Sequence, residues 1–346
     1  MPKPFRNILI IKPSSMGDIV LALPALTALR KSFVDAKICW LARSEYAALL
    51  EGHPHLDQVI LFDRIFLGKA CYHPKALGAL VSFVLRLNRN RFDVVFDFQG
   101  LFRTAAFARL SGCPRRFGPE KTRELAGLFY TDKIPQGQDH IHLVDYYLEM
   151  TRSAGAMDLP AEFVLPDDPA ARIAVESLLP HHGLEPGNYA VFVPSSAHID
   201  KCWPAERFAE LAGRIIERFD LPIAAVGNSS DSTLVDELKT LADVRIAGLA
   251  GRTSLKELIS LLRTARLVVS NDTGTGHIAA ALGRPVVMIF GRSNPARVAP
   301  YGQADSVVAV DPDGRGFAAD STDPRHDIRA ITVEQVFQTV CRRLQA

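Results

Sequence analysis

At 346 residues, 48% hydrophobic and with a formal net charge of +2, the chain is long enough for about two domains, and its charge gives no argument for nucleic acid or a strongly acidic partner. Five scattered cysteines with no C-x-x-C pair exclude a zinc ribbon or a thioredoxin-type motif and read as reduced thiols of a cytosolic protein. The apolar run at residues 8–11 is too short for a signal-peptide core, and no stretch approaches the roughly 18 apolar residues of a membrane-spanning helix.

Short β-branched runs then alternate with helix-like stretches. Residues 7–12 (NILIIK) predict a buried strand. Residues 19–33 have apolar positions at helical spacing, with Pro24 breaking or restarting the helix. Strands are predicted over 37–41 and 59–62, and a helix over 75–90 with Leu77, Leu80, Val84 and Leu87 on one face. Residues 92–97 predict a strand, and 101–110 and 142–153 predict helices. Residues 155–169, rich in Pro and Asp, read as a linker. The expected domains are therefore 1–160 and 161–346.

The pattern restarts in the second half. Strands are predicted over 189–193, 222–226, 267–270 and 286–290. Helices are predicted over 205–219, 232–241, 255–264, 276–282 and 333–344, with 311–329 irregular. The last helix is a candidate to pack back on the N-terminal domain. Repeated strand–helix–strand order implies parallel sheets covered on both faces, hence two doubly wound α/β domains. Ligands in such sheets bind at the carboxyl ends of strands, so the loops there carry the chemistry.

The first such loop is Pro13-Ser14-Ser15-Met16-Gly17-Asp18. Gly17 permits close backbone approach, and Asp18 is either a helix cap or a carboxylate able to take a proton from an acceptor hydroxyl. No G-x-G-x-x-G is present, which weighs against a nicotinamide or flavin enzyme. Ser270-Asn271-Asp272-Thr273-Gly274-Thr275-Gly276-His277 leaves a strand and enters a helix. Its small residues, hydroxyls and backbone N–H groups form either a capped turn or a diphosphate cradle. Taken alone, His277 is more often a packed histidine. Ser195 and Ser196 precede Lys201-Cys202-Trp203-Pro204, where Lys201 is a solvated loop residue or neutralises charge on a leaving diphosphate. Asp231, after another strand, is a solvated loop acid or takes a ribose hydroxyl pair. Asp311-Pro312-Asp313 matches the Asp-x-Asp metal pattern but lies in a Pro/Gly-rich stretch and reads as a turn.

Together these segments resemble glycosyltransferase family 9, the heptosyltransferases. The opening Ile8 to Asp18 with Leu23-Pro24-Ala25-Leu26, the Ser270–Gly274 turn with His277, and Lys201-Cys202-Trp203-Pro204 carry the resemblance. Residues 92–101 with Thr122-Arg123-Glu124 look most like heptosyltransferase I. The resemblance implies a GT-B fold, two Rossmann-like domains facing a central cleft, with the acceptor on the first and the nucleotide-sugar donor on the second. It implies inverting, metal-independent transfer of heptose from ADP-L-glycero-D-manno-heptose to the Kdo inner core of lipopolysaccharide, with no cofactor.

Carried over by position, Asp18 is the base and Lys201 supports the leaving group. Ser196, Asp231, Asp272, Thr273, Gly274 and His277 bind the donor. Ser15, Gly17, Arg64, Lys69, Gln99, Arg103 and Arg123 are the acceptor candidates, although the family's basic acceptor loop is thinner here. The expected setting is the cytoplasm, peripheral to the inner membrane, as a monomer without nucleic acid. The alternatives are a family 9 enzyme with another core acceptor or nucleotide-sugar donor, a nucleotide-binding oxidoreductase, and a non-catalytic sugar-nucleotide binding protein.

Overall fold

A computed structural model of the chain describes residues 5–122, 124–137 and 141–345. It divides into two compact units, Met1–Pro166 and Asp167–Ala346, the division falling inside the Pro/Asp-rich 155–169 stretch.

In the first unit, β1 (Asn7–Ile11) leads to α1 (Met16–Ser32), β2 (Lys37–Arg43), β3 (Gln58–Phe62), α2 (Arg64–Leu67), α3 (Pro74–Arg89) and β4 (Val94–Asp97). α4 (Phe102–Leu110), β5 (Arg115–Pro119), β6 (Asp132–Ile134) and α5 (Leu143–Ser153) complete it. Among the described residues the strands form one six-stranded sheet in the order β3-β2-β1-β4-β5-β6. β1 is central, with Ile8 opposite Ile38 of β2 and Val94 of β4, both pairings parallel. A strand covered on both faces has no polar side to show, which is why β1 is apolar without a break from Ile8 to Ile11. Leu9, Ile11, Leu41, Phe62, Phe83 and Phe107 pack into one core.

α1 does not break at Pro24, as the sequence suggested; it runs unbroken from Met16 to Ser32. Proline removes one helical hydrogen bond, but residues 19–29 of this helix are buried and it packs along α5. Tertiary burial holds the turn that the local rule would open. α3 also departs from expectation: Ala76, Phe83 and Leu87 face the core, whereas Leu77 is exposed.

The second unit opens with α6 (Pro169–His181), a helix that begins at the last residue of the expected linker and that the sequence reading does not assign. Its start follows local chemistry, with Asp168 accepting from the Ala171 amide at 3.0 Å and Pro169 at the first helical position. There follow β7 (Ala190–Val193), α7 (Ala205–Phe219), β8 (Ile223–Ala225), α8 (Ser232–Leu241), β9 (Ile246–Gly248), α9 (Leu255–Thr264) and β10 (Leu267–Asn271). α10 (Gly274–Ala281), β11 (Val286–Phe290), α11 (Pro295–Val298), β12 (Val307–Ala309) and α12 (Val333–Gln345) end the chain. The described strands again form a six-stranded parallel sheet, β12-β11-β10-β7-β8-β9. α12 buries Val333, Val336 and Val340 in this unit's own core, packing on α7 and β11. The apolar spacing along its inner face matches that surface, so the closing helix completes the second unit.

Both sheets share one connectivity. Chain order reverses between β1 and β4 in the first and between β7 and β10 in the second. At such a switch point the flanking loops diverge and open a crevice beyond the strand ends. No helix among the described residues is long and apolar enough to cross a membrane.

Candidate active site

At the first switch point, the loop after β1 carries Asp18 in the opening turn of α1. Its carboxylate accepts from the Ser15 amide and the Ser15 hydroxyl, both at 3.0 Å. Serine before the helix and an acid three residues later satisfy an otherwise unpaired amide, and the helix N-terminus favours the negative charge. Asp18 is therefore a cap. It is also partly exposed, and it lies 3.6 Å from the ammonium of Lys12, whose side chain is almost wholly buried. Burial alone would lower the Lys12 pKa, but Asp18, Tyr147 and Asp97 outweigh it and hold the ammonium above the usual lysine range. The pair thus sets a buried ammonium beside a partly exposed carboxylate at the mouth of the strand end.

Asp97 ends β4, beside β1, and is fully buried. It accepts from the Tyr130 hydroxyl at 2.7 Å and from the amides of Gln99 and Gly100 at 3.0 and 3.2 Å. Burial nonetheless pushes its carboxyl above the ordinary range. These bonds fold the β4 loop back over the strand end and place Gln99 at the switch point. The side-chain oxygen Oε1 of Gln99 is buried with no hydrogen-bond partner among the described residues. Arg103, in the first turn of α4, is exposed. Arg64 and Lys69 are exposed on and just after α2, beyond the edge strand β3. Arg123 lies outside the described residues.

At the second switch point the loops after β7 and β10 are stapled together by Asn271. Its Oδ1 accepts from the Trp203 amide at 3.0 Å and its Nδ2 donates to the Pro194 carbonyl at 2.7 Å. The Trp203 ring is buried, its indole N–H donating to the Ile331 carbonyl at 2.9 Å. This anchorage fixes the segment that carries Ser195, Ser196 and Lys201. Ser196 Oγ reaches the Asp272 carbonyl at 3.5 Å, and Lys201 Nζ pairs with Asp320 at 2.7 Å.

Thr273 caps α10, accepting from the Gly276 amide at 3.4 Å. Gly276 has a packing reason to be glycine, since a Cβ there would stand 2.9 Å from Ser270 Oγ. Asp272 lies 3.4 Å from Nε2 of His277. Burial would raise its pKa, but His277, Ser293 and Lys201 outweigh that and hold the carboxyl below its usual range. His277 is buried, and its Nδ1 has no partner among the described residues. Asp231, after β8, accepts from Ser195 Oγ at 3.0 Å and the Asn228 amide at 2.8 Å.

The sequence-derived candidates thus gather by unit. Ser15, Gly17, Asp18 and Gln99 flank the first switch point. Ser196, Lys201, Asp272, Thr273, Gly274 and His277 flank the second, with Asp231 one strand further out. Asp311, with φ of 40°, lies at a bend in the irregular stretch after β12. A recess of about 610 Å³ lies beside the Lys201 loop, lined by Cys202, Arg292, Thr322, Asp327 and Arg329 among others. None of the predicted donor residues lines it, so the switch-point loops and not this recess define the candidate site.

Sequence reading passed over Lys12, Asp97 and Asn271. All three share one signal: a charged or amide side chain at the carboxyl end of an otherwise apolar central strand. Burying such a group is costly unless it is partnered, so its presence marks a built arrangement.

A family model described as glycosyltransferase family 9 (heptosyltransferase) matches residues 80–321. Lipopolysaccharide heptosyltransferase 1 of Escherichia coli strain K12 is 30% identical over 307 residues, 87% of this chain and 92% of that protein. Among solved structures, the E. coli heptosyltransferase WaaC with ADP matches 97% of this chain and 99% of its own, at 27% identity and a TM-score of 0.78. The family 9 glycosyltransferase of Veillonella parvula DSM 2008 shares the fold over 100% of this chain and 99% of its own, with a TM-score of 0.83 at 22% identity.

Proposed function

Since the chain belongs to glycosyltransferase family 9, we propose that it moves heptose from ADP-L-glycero-D-manno-heptose to the Kdo inner core of lipopolysaccharide, by a metal-independent displacement that inverts the anomeric carbon. The observation that supports the donor assignment most is the second switch point. There a helix N-terminus, small residues and hydroxyls meet a lysine on a firmly anchored loop, the chemistry a diphosphate needs.

In this reading Ser196, Thr273 and Gly274 contact the diphosphate, and Asp231 takes the ribose hydroxyls. Asp272 and His277 hold the donor turn. Lys201 exchanges the Asp320 carboxylate for phosphate oxygens and stabilises the charge that builds on departing ADP. Asp18 takes the proton of the acceptor hydroxyl as its oxygen bonds to the anomeric carbon and the bond from that carbon to the diphosphate breaks. Lys12, buried against Asp18, holds that carboxylate in place between turnovers.

The acceptor is held by Ser15, Gly17, Gln99, Arg64, Lys69, Arg103 and Arg123. A sugar hydroxyl donating to the orphaned Gln99 Oε1 would satisfy it, and the arginines and Lys69 suit the carboxylate of Kdo. The reaction takes place at the cytoplasmic face of the inner membrane. The donor assignment is tested by calorimetry with ADP. Lys201→Ala is expected to weaken binding by about 10-fold or more, the usual size of a charge-assisted contact. Unchanged affinity removes Lys201 from the donor site.

A further inference from the structure

Helix α3 has two apolar faces. One, with Ala76, Phe83 and Leu87, is buried. The other carries Leu77, Val81 and Leu85 at four-residue spacing, and each is about half exposed, at 51, 51 and 52%. Residues four apart line up along one side of a helix, so these three form a continuous stripe. Ile65 and Tyr72, just before the helix, are 69 and 75% exposed. A helix on a protein surface normally turns its charged face outward; α3 turns leucine and valine outward.

The charge of the same segment is one-sided. From Arg64 to Phe92 there are six Lys or Arg residues and no Asp or Glu. All six, Arg64, Lys69, Lys75, Arg86, Arg89 and Arg91, are exposed. The whole chain is nearly balanced at +2, so this stretch concentrates positive charge locally. On α3 itself Lys75, Arg86 and Arg89 fall on the flank between the buried face and the outer stripe, by the helix's 3.6-residue turn. Protruding apolar side chains beside unopposed cations complement a bilayer with anionic headgroups. The side chains enter the acyl boundary while the cations lie at headgroup level. A protein partner could cover the stripe, but it would leave the cations without a reason to be free of acids.

We propose that the outer face of α3, with the segment leading into it, is the surface by which this chain docks on an anionic lipid bilayer. Arg64 and Lys69 begin the same segment, so docking here brings a lipid-borne acceptor to residues assigned to acceptor binding. That consequence rests on the functional reading above, whereas the docking itself does not.

The test is co-sedimentation of the full chain with vesicles of phosphatidylglycerol and phosphatidylethanolamine, against vesicles of phosphatidylcholine alone. Binding is expected to the first and to fall with added salt. Neutralising one cation near such a surface weakens partitioning about fivefold, so Lys75→Gln/Arg86→Gln/Arg89→Gln is expected to weaken it about 100-fold. Leu77→Gln/Val81→Gln/Leu85→Gln, altering only exposed positions, is expected to weaken it at least tenfold while leaving the circular dichroism spectrum and ADP affinity as they were. Equal binding to both vesicle types, no binding to either, or full partitioning by both triple variants overturns the proposal. So does a concentration-dependent dimer that the apolar variant abolishes, which would assign the stripe to self-association. Failure of the donor reading would appear in the ADP titration and leave the vesicle result untouched.

Discussion

Replacing Asn271 by alanine tests how the second switch point is held together. Asn271 is fully buried, and its amide joins two loops by a 3.0 Å bond from the Trp203 amide and a 2.7 Å bond to the Pro194 carbonyl. Asn271→Ala leaves one buried backbone N–H and one carbonyl without these partners. Each orphaned group costs about 1–3 kcal/mol, so the loss of stability should be about 2–6 kcal/mol, toward the lower end if water enters the space left by the amide. Asn271→Asp keeps the acceptor for Trp203 but turns a carboxylate oxygen toward the Pro194 carbonyl, and should be at least as damaging. Because the Pro194–Trp203 segment carries Ser196 and Lys201, the alanine variant should also bind ADP more weakly at a temperature where it is still folded. Urea unfolding followed by circular dichroism, with ADP calorimetry on the folded protein, measures both effects. A stability change within about 0.5 kcal/mol, the range of an unremarkable surface substitution, would refute the staple.

Two further substitutions address the first unit. Asp18→Asn should lower turnover by about 10²–10⁴-fold, the usual contribution of a general base, with ADP affinity unchanged; full turnover by this variant contradicts the base assignment. His53 is buried, with Nε2–H donating to the Val164 carbonyl at 2.9 Å and Nδ1 accepting from the His55 amide at 3.1 Å. Burial holds its pKa down at about 4, from 6.5. The unfolded chain therefore takes up this proton first, so the contribution is intact above pH 6.5 and fades as pH falls toward 4, by about 3 kcal/mol. His53→Gln should flatten that part of the stability profile between pH 7 and pH 4.5; parallel profiles for the two proteins would show that His53 is not the group responsible.

Much of this architecture could be read from residue order. Strands paired on both sides, such as those around residues 8–11 and 286–290, are covered on both faces, so they appear as unbroken apolar runs. Helices such as residues 205–219 carry a stripe that only a one-sided surface burial requires. Three of the four three-residue strands, β6, β9 and β12, lie at sheet edges, where pairing comes from one neighbour and leaves almost no period to detect. β5 (RRFGP) looks like a turn because its arginines and proline are placed by neighbouring strands and not by local preference. Pro24 misled because a buried helix packed on α5 outweighs one missing hydrogen bond.

The candidate site was visible as loops, since Asp18, Lys201 and the Asp272–His277 turn follow strands in sequence. Their supports were not. Lys12, Asp97 and Asn271 acquire meaning only when strand order brings β1 beside β4 and β7 beside β10. The exposed stripe of α3 was hidden for a related reason: Leu77 and Leu87 share a helical spacing, and only packing decides which of them meets the core.

That this chain transfers heptose can be settled by mass spectrometry of the products formed from ADP-heptose and a deeply truncated lipopolysaccharide ending in Kdo. The expected result is acceptor heavier by one heptosyl unit, with ADP released in equal amount and the new linkage inverted relative to the donor. Release of ADP without a heavier acceptor, or transfer from other nucleotide sugars but not from ADP-heptose, would contradict it.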